Sequence, residues 1–359
     1  MGSGLTADVE TAVPRLAIVV SCYNYQDYVA RAIESVTSQR SADCELVVVD
    51  DGSSDDSWSV ICRSGVRAFK IPNSGQRAAC VFGLDRTSAP FVLFLDADDE
   101  LKPGSIATIL AQLDANVAKL QFAMTRIDRY GNVIGDSFPK LKEFRDFEHV
   151  QDRILQSAVY TTPPTSGNVF RRDVCELLRE VEYDDAVDGV ILYAAPFLGD
   201  VVSLPDELCN YRVHDRNHSG SGRPINPSII QRDMERFVSR TNHLRDVLQR
   251  LGRSDELVDP VNTFYYRERQ MCLAVETGRR PHISEIAALL LRLWHEAIPP
   301  ASKVMMMGFY GTVGLLPNSQ ARILLAHRFK TSSHSKMRLA GMILRSFFPR
   351  WVRPAAKTE

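Results

Sequence analysis

The first hundred residues alternate between short apolar runs and amphipathic stretches, and this alternation limits the possible folds more than any other feature of the chain. Leu16 to Val20, Glu45 to Val49, Val66 to Lys70 and Phe91 to Leu95 read as strands. Three of the four are nearly continuous apolar runs, the pattern of parallel strands covered on both faces. Between them, Val29, Ile33 and Val36 recur at helical spacing, as do Trp58 and Ile61, while Ala79 and Gly83 fall within a third helical stretch. Strand–helix alternation of this length predicts an α/β fold with a doubly wound, mostly parallel sheet.

From about 105 to 215 the pattern loosens. It predicts a helix over 106–113, a strand over 118–127 and a hairpin-like turn at Gly131-Asn132. Another strand is expected at Asn168 to Phe170, then helices over 174–179 and 190–198, the second ended or kinked by Pro196. The Gly/Ser/Pro-rich stretch 220–227 is the expected domain boundary. Beyond it the chain reads all-helical. Ile230, Met234, Phe237, Leu244, Val247 and Leu251 line one helix face, and 286–294 forms a further helix. The expected organisation is an N-terminal segment over 1–14, a catalytic domain over 15–219, a helical extension over 220–319 and a basic tail over 320–359.

A net charge of −1 excludes a polyanion binder such as a nucleic-acid-binding protein. The seven cysteines are scattered without a Cys-x-x-Cys pair, which fits reduced, mostly buried thiols rather than a zinc site or a disulfide framework. Leu16 to Val20 is too short for a signal-peptide core. No run approaches the ~18–20 apolar residues that span a bilayer. A cytosolic protein is expected.

Acidic clusters follow the second and fourth predicted strands: Asp50-Asp51-Gly52 and Asp96-Ala97-Asp98-Asp99. Alone, the first is what a turn and a helix N-cap favour, and the second suits a solvated loop. Their joint placement carries more. In an open α/β sheet the ligand crevice lies outside the carboxyl ends of the strands, so both clusters face the same place. Crowded carboxylates are costly unless something compensates, and a hard divalent cation shared with ligand phosphates is the usual solution.

Four elements in order, Ser21-Cys-Tyr-Asn-Tyr25, Val49-Asp-Asp-Gly-Ser-Ser54, Asn73-Ser-Gly-Gln-Arg77 and Leu95-Asp-Ala-Asp-Asp99, resemble family 2 glycosyltransferases of the GT-A fold over residues 15–215. The resemblance implies an inverting transferase that moves a sugar from a nucleotide-diphosphate donor to a hydroxyl acceptor. Ser21, Tyr23, Asp51, Arg77 and Asp96 are then the nucleotide-binding residues: Tyr23 and Asp51 hold the base, Asp96 the ribose and Arg77 a phosphate. It also implies Asp98 as a ligand of Mg²⁺ or Mn²⁺, with His214 from Asn210-Tyr-Arg-Val-His214 either a second ligand or a partner of the diphosphate, and Arg212 and Arg216 suited to phosphate. The family's general base precedes a helix as Glu-Asp. The match here is Val187-Asp188-Gly189, with valine in place of the first acid, so Asp188 is the expected base and Asp184 and Asp185 compete with it. Thr165 to Gly167 and Phe170 to Arg172 are implied to lie near the acceptor.

Other readings of the acidic motif are a metal-dependent phosphohydrolase, with Asp96 as nucleophile and Asp98 as acid, and a catalytically degenerate scaffold. The first normally carries its Asp-x-Asp after its first strand. A nucleotidyltransferase would need a Gly-rich basic loop there, and a dinucleotide-binding oxidoreductase a Gly-x-Gly-x-x-Gly. Neither is present.

From 320 onward nine Lys and Arg residues face one acid, Glu359, with Leu339, Ile343 and Phe347 on one helical face and Phe348 and Trp351 as aromatic anchors. A basic amphipathic tail of this kind implies an anionic membrane surface as partner, each cation contributing about 1 kcal/mol. A lipid-linked acceptor at the cytoplasmic face of a membrane would make that useful.

Overall fold

The structure, a computed structural model, describes residues 13–39, 41–184, 186–214 and 226–330, with the backbone alone over 327–330. It divides into two compact units, Met1–Ile154 with Val159–Asp215 and His243–Ser254, and Leu155–Ala158 with Arg216–Asn242 and Asp255–Glu359.

The first unit is built on a sheet of nine strands among the described residues: β1 Leu16–Cys22, β2 Cys44–Asp50, β3 Ala68–Lys70, β4 Phe91–Asp96, β5 Glu100–Leu101, β6 Val117–Ile127, β7 Phe144–Asp146, β8 Asn168–Arg171 and β9 Asp200–Arg212. Its order is β3-β2-β1-β4-β8-β6-β9-β5, with β7 on β9. The four N-terminal strands pair in parallel throughout. Past β4 the sheet is mixed: β8 runs antiparallel to β4 and β6, while β9 is parallel to β6.

Helices α1 Val29–Thr37, α2 Ser57–Arg63, α3 Gln76–Leu84 and α4 Ser105–Gln112 cover this sheet. Alternation along β1 decides which side chain meets which layer. Leu16, Ile18 and Val20 join Val29 and Ile33 of α1 and Ile106 of α4 in the main core. Val47 and Val49 of β2 instead meet Ala79 of α3. At Gly83 a Cβ would come within 2.3 Å of a Val19 methyl, so the missing side chain is what lets α3 lie close on β1.

Shorter helices follow: α5 Glu148–Ser157, α6 Arg172–Cys175 and α7 Val190–Ala194. The expected helices over 174–179 and 190–198 each break into a short α-helix and a 3-10 turn, at Glu176–Glu180 and Ala195–Phe197. The long strand β9 goes beyond the sequence reading. Pro205 and Asp206 interrupt its apolar pattern, and they bulge outward, exposed, where the register with β6 shifts.

The remaining helices are α8 Pro227–Arg250, α9 Phe264–Glu276, α10 Ile283–His295, α11 Pro300–Leu315 and α12 Asn318–Lys330. Within the second unit, Met271, Val275, Leu289, Leu293, Phe309, Tyr310, Val313 and Leu325 form a separate core. Leu251 does not continue the apolar face of α8, because the helix ends at Arg250 and Leu251 is exposed. Trp294, at the end of the helix expected over 286–294, faces outward. No helix among the described residues is long and apolar enough to cross a membrane. Asp185, Arg216, 220–225 and the tail beyond Lys330 lie outside the described residues.

Candidate active site

Parallel pairing brings the carboxyl ends of β1, β2 and β4 to one edge, with Ser21 opposite Asp96 and Cys22 opposite Asp50. Polar side chains lace the loops beyond that edge. Asn24, at φ 59°, donates its N–H to Ser53 Oγ (2.9 Å) and accepts the Ser54 N–H at its Oδ1 (2.8 Å). Tyr25 N–H donates to Ser57 Oγ at 2.9 Å. The serines after Asp51 therefore act as latches between two loops.

Asp51 ties in the third loop. Its two oxygens accept the N–H groups of Ser74 (2.7 Å) and Gly75 (2.9 Å). This approach requires glycine at 52, where φ is +71° and a Cβ would lie 2.6 Å from the Asn73 nitrogen. Gly52→Ala combines backbone strain with that clash, and we expect a loss of at least about 2 kcal/mol by chemical denaturation. An unchanged denaturation midpoint would contradict the loop geometry.

Beyond β4, three carboxylates converge. Asp96, Asp98 and Asp99 each offer an oxygen, all within 4.8 Å of one another. The Asp96 amide donates to Ser166 Oγ (3.1 Å), and Gln76 Nε2 donates to the Asp96 carboxylate (2.5 Å). Burial, followed by the neighbouring carboxylates, pushes the Asp96 carboxyl well above the usual range. Asp99 is raised in the same way, by burial and then by Asp98. Its Oδ1 accepts the Arg212 N–H (3.0 Å), while its buried Oδ2 has no hydrogen-bond partner among the described residues. Hard oxygen donors, mutual repulsion and an orphaned buried acceptor together fit a divalent cation.

His214 completes the group, its Nε2 lying 2.8 Å from Asp98 Oδ2. The imidazole stacks on Tyr28 at 5.1 Å between centroids and meets Tyr25 edge-on. Arg212 departs from the expected phosphate-facing role. Fully buried, it donates from Nε to the Asp98 carbonyl (2.9 Å) and from Nη1 to the Asp128 carbonyl (3.1 Å), and it pairs with Glu100. It is a clamp holding β9 to the acidic loop.

Arg77 donates to the carbonyls of Asp184 (3.1 Å) and Leu178 (3.2 Å), which use two of its five N–H donors and fasten α3 to the segment that leads to Asp188. Asp188 accepts from Thr165 Oγ1 at 2.7 Å and lies close enough to Asp96 to raise its pKa. Asp184 instead receives the Ala186 N–H in a local turn. Val187, standing where an acid was expected, is buried in the core. Tyr23 is half exposed on the loop after β1.

The 3-10 turn Thr165–Gly167 sits against the acidic cluster through Ser166, but Phe170 to Arg172 does not belong there. Antiparallel pairing puts Arg171 opposite Phe91, at the far end of β4 from Asp96, about 17 Å away along the strand. Arg172 is spent on the Ala89 and Leu84 carbonyls.

Sequence reasoning missed Lys119. Fully buried in β6, its Nζ donates to Gln121 Oε1 (2.9 Å), Tyr160 Oη (2.5 Å) and Thr162 Oγ1 (2.7 Å). Burial pushes its pKa far below that of an ordinary lysine, and the Asp188 carboxylate opposes this. The signal was present as a lysine interrupting the apolar run of a core strand.

The family model of glycosyl transferase family 2 matches residues 17–178. An uncharacterized glycosyltransferase of Nostoc sp. is 31% identical over 252 residues, covering 66% of this chain and 77% of that protein. A Campylobacter jejuni protein named GalNAc(5)-diNAcBac-PP-undecaprenol beta-1,3-glucosyltransferase is 34% identical over 184 residues, 49% of this chain and 57% of its own length. Among solved structures, S. aureus TarS 1-349 in complex with UDP-GlcNAc covers 94% of this chain and 93% of its own, at 15% identity and a TM-score of 0.48, too distant to assign anything here. With sheet order, acidic edge and relatives in agreement, the chain belongs to glycosyl transferase family 2 and is a glycosyltransferase.

Proposed function

We propose that the enzyme transfers a sugar, with inversion, from a nucleotide-diphosphate donor to the hydroxyl of a lipid-linked acceptor in cell-surface glycan synthesis. The observation that carries this reading is the convergence of Asp96, Asp98 and Asp99 at the carboxyl edge of the parallel strands, with Asp188 in electrostatic reach.

Asp98 and His214 would hold Mg²⁺ or Mn²⁺, which when bound neutralises the charge developing on the leaving diphosphate. Ser21 and Asp96 line the edge where the ribose would lie. Tyr23 and Asp51 take the base side. Arg77 offers its remaining donors to phosphate.

Asp188 acts as general base. As the acceptor oxygen bonds to the anomeric carbon, the bond to the diphosphate breaks and the hydroxyl proton passes to the Asp188 carboxylate. The Thr165 hydroxyl fixes one carboxylate oxygen during this step. One base opposite the leaving group gives a single displacement, so the anomeric configuration inverts. NMR of the product formed from an α-linked donor should show a β-glycoside. Retention, or a trapped sugar–enzyme adduct, would refute the mechanism.

The lipid-linked acceptor draws support from the named acceptor of the Campylobacter relative and from the basic composition of residues 320–359, which would suit the cytoplasmic face of an anionic membrane.

A further inference from the structure

Two neighbouring helices of the second unit present apolar side chains to solvent at regular spacing. On α10 these are Ile283, Ala287, Leu291 and Trp294, all exposed. On α11, Val304, Gly308 and Leu315 are exposed, and a Cβ at Gly308 or Gly311 would meet nothing within 4 Å. Steps of three and four residues put each set on one face of its helix. The opposite side of α11 is the packed one, since Phe309, Tyr310 and Val313 are buried and a Cβ at Gly314 would collide with Ile286. Val304 is 65% and Leu291 62% exposed, so these are not grazing contacts.

The two sets adjoin at both ends. Lys303 Nζ donates to the Trp294 carbonyl at 2.6 Å and lies 5.6 Å from its ring centroid. At the other end, Arg280 Nη2 donates to the Leu315 carbonyl at 2.9 Å, three residues before Ile283. The result is an apolar ridge about 17 Å long with a cation at each end.

Charge decides the occupant. Helix α11 contains no acid, and Glu285 of α10 is held by Arg279 in a two-point pair. From 279 to 359 the chain carries thirteen Lys and Arg residues against Glu285, Glu296 and Glu359. A second copy docked two-fold on this ridge would set the Arg280 end against the Lys303 end, cation facing cation. An anionic bilayer offers the opposite charge, an apolar interior for Leu291 and Val304, and an interface suited to the indole of Trp294.

We propose that the α10–α11 ridge seats the enzyme on an anionic lipid bilayer by inserting these side chains below the headgroups. This deepens the membrane part of the reading above, adding an apolar anchor to the electrostatic one. It rests on that reading only for its purpose, bringing the active site to a lipid-linked acceptor.

The test uses the full-length protein and sedimentation with vesicles of phosphatidylcholine containing 30% phosphatidylglycerol, across a salt series. Leu291→Glu/Val304→Glu should lower the partition coefficient at least about tenfold. It should also abolish the binding that wild type retains at high salt, where surface charge is screened. Val304→Glu alone is the milder companion, and both should keep the wild-type melting profile and donor hydrolysis. Wild-type binding by both variants would overturn the proposal, as would a wild-type protein that ignores these vesicles. So would a wild-type dimer in sedimentation velocity that the variants dissolve. Vesicle binding is read without donor or acceptor, so failure of the membrane seat and failure of the transferase mechanism are separate results.

Discussion

Asp98→Asn is expected to lower kcat/KM by about 10³ or more and to abolish the dependence of donor binding on Mn²⁺, since charge stabilisation of this kind contributes several kcal/mol. Asparagine keeps an oxygen for the His214 contact at 2.8 Å, so the loop should stay in place. Calorimetry with UDP, GDP and dTDP, with and without Mn²⁺, reads the effect directly. Equal affinity in EDTA and Mn²⁺ for the wild type would remove the basis for the cation site.

The same substitution should not lower cation-free stability, and pH provides the check. Asp96 and Asp99 have carboxyls raised above the ordinary 3.8 by burial and by their neighbours. The folded state therefore holds these protons more tightly than the unfolded chain does. Their favourable contribution is fully present below pH ~4 and is lost as pH rises through the raised values. Cation-free protein should melt lower on going from pH 5 towards neutrality, and Mn²⁺ should reverse much of that fall. Asp98→Asn removes one of the repelling charges and should flatten the cation-free pH dependence.

Asp188→Asn should lower kcat by about 10²–10⁴, the range for a general base, with donor affinity nearly unchanged. Asparagine can still accept from Thr165 Oγ1, so a fall in kcat would reflect lost basicity rather than a displaced segment. Asp184→Asn provides the contrast, because its carboxylate serves a local turn with Ala186. If Asp184→Asn shows the kcat loss and Asp188→Asn does not, the base is misassigned.

The two halves of the first unit differ in how far sequence pattern determines them. Strands β1, β2 and β4 are continuous apolar runs because both their faces are covered, and such runs announce themselves without tertiary information. Strand β9 pairs with β5, β6 and β7, yet Pro205 and Asp206 hide it, since a bulge takes residues out of the alternation that marks a strand.

By itself the sequence determined the α/β class, the edge where the acids gather and the order of the motifs, because each follows from residues close together in the chain. Only the tertiary structure decided what those residues do to one another. Asp51 caps the loop of Ser74 and Gly75 from 23 residues away. Arg212 is a buried clamp onto Asp98 and Asp128, 114 and 84 residues away. The sequence shows Lys119 only as a break in an apolar run, and its burial against Tyr160 and Thr162 is set by the tertiary structure. Hydrogen-bond partners and desolvation depend on which distant segments meet. That is set by packing of the whole sheet, and no local pattern encodes it.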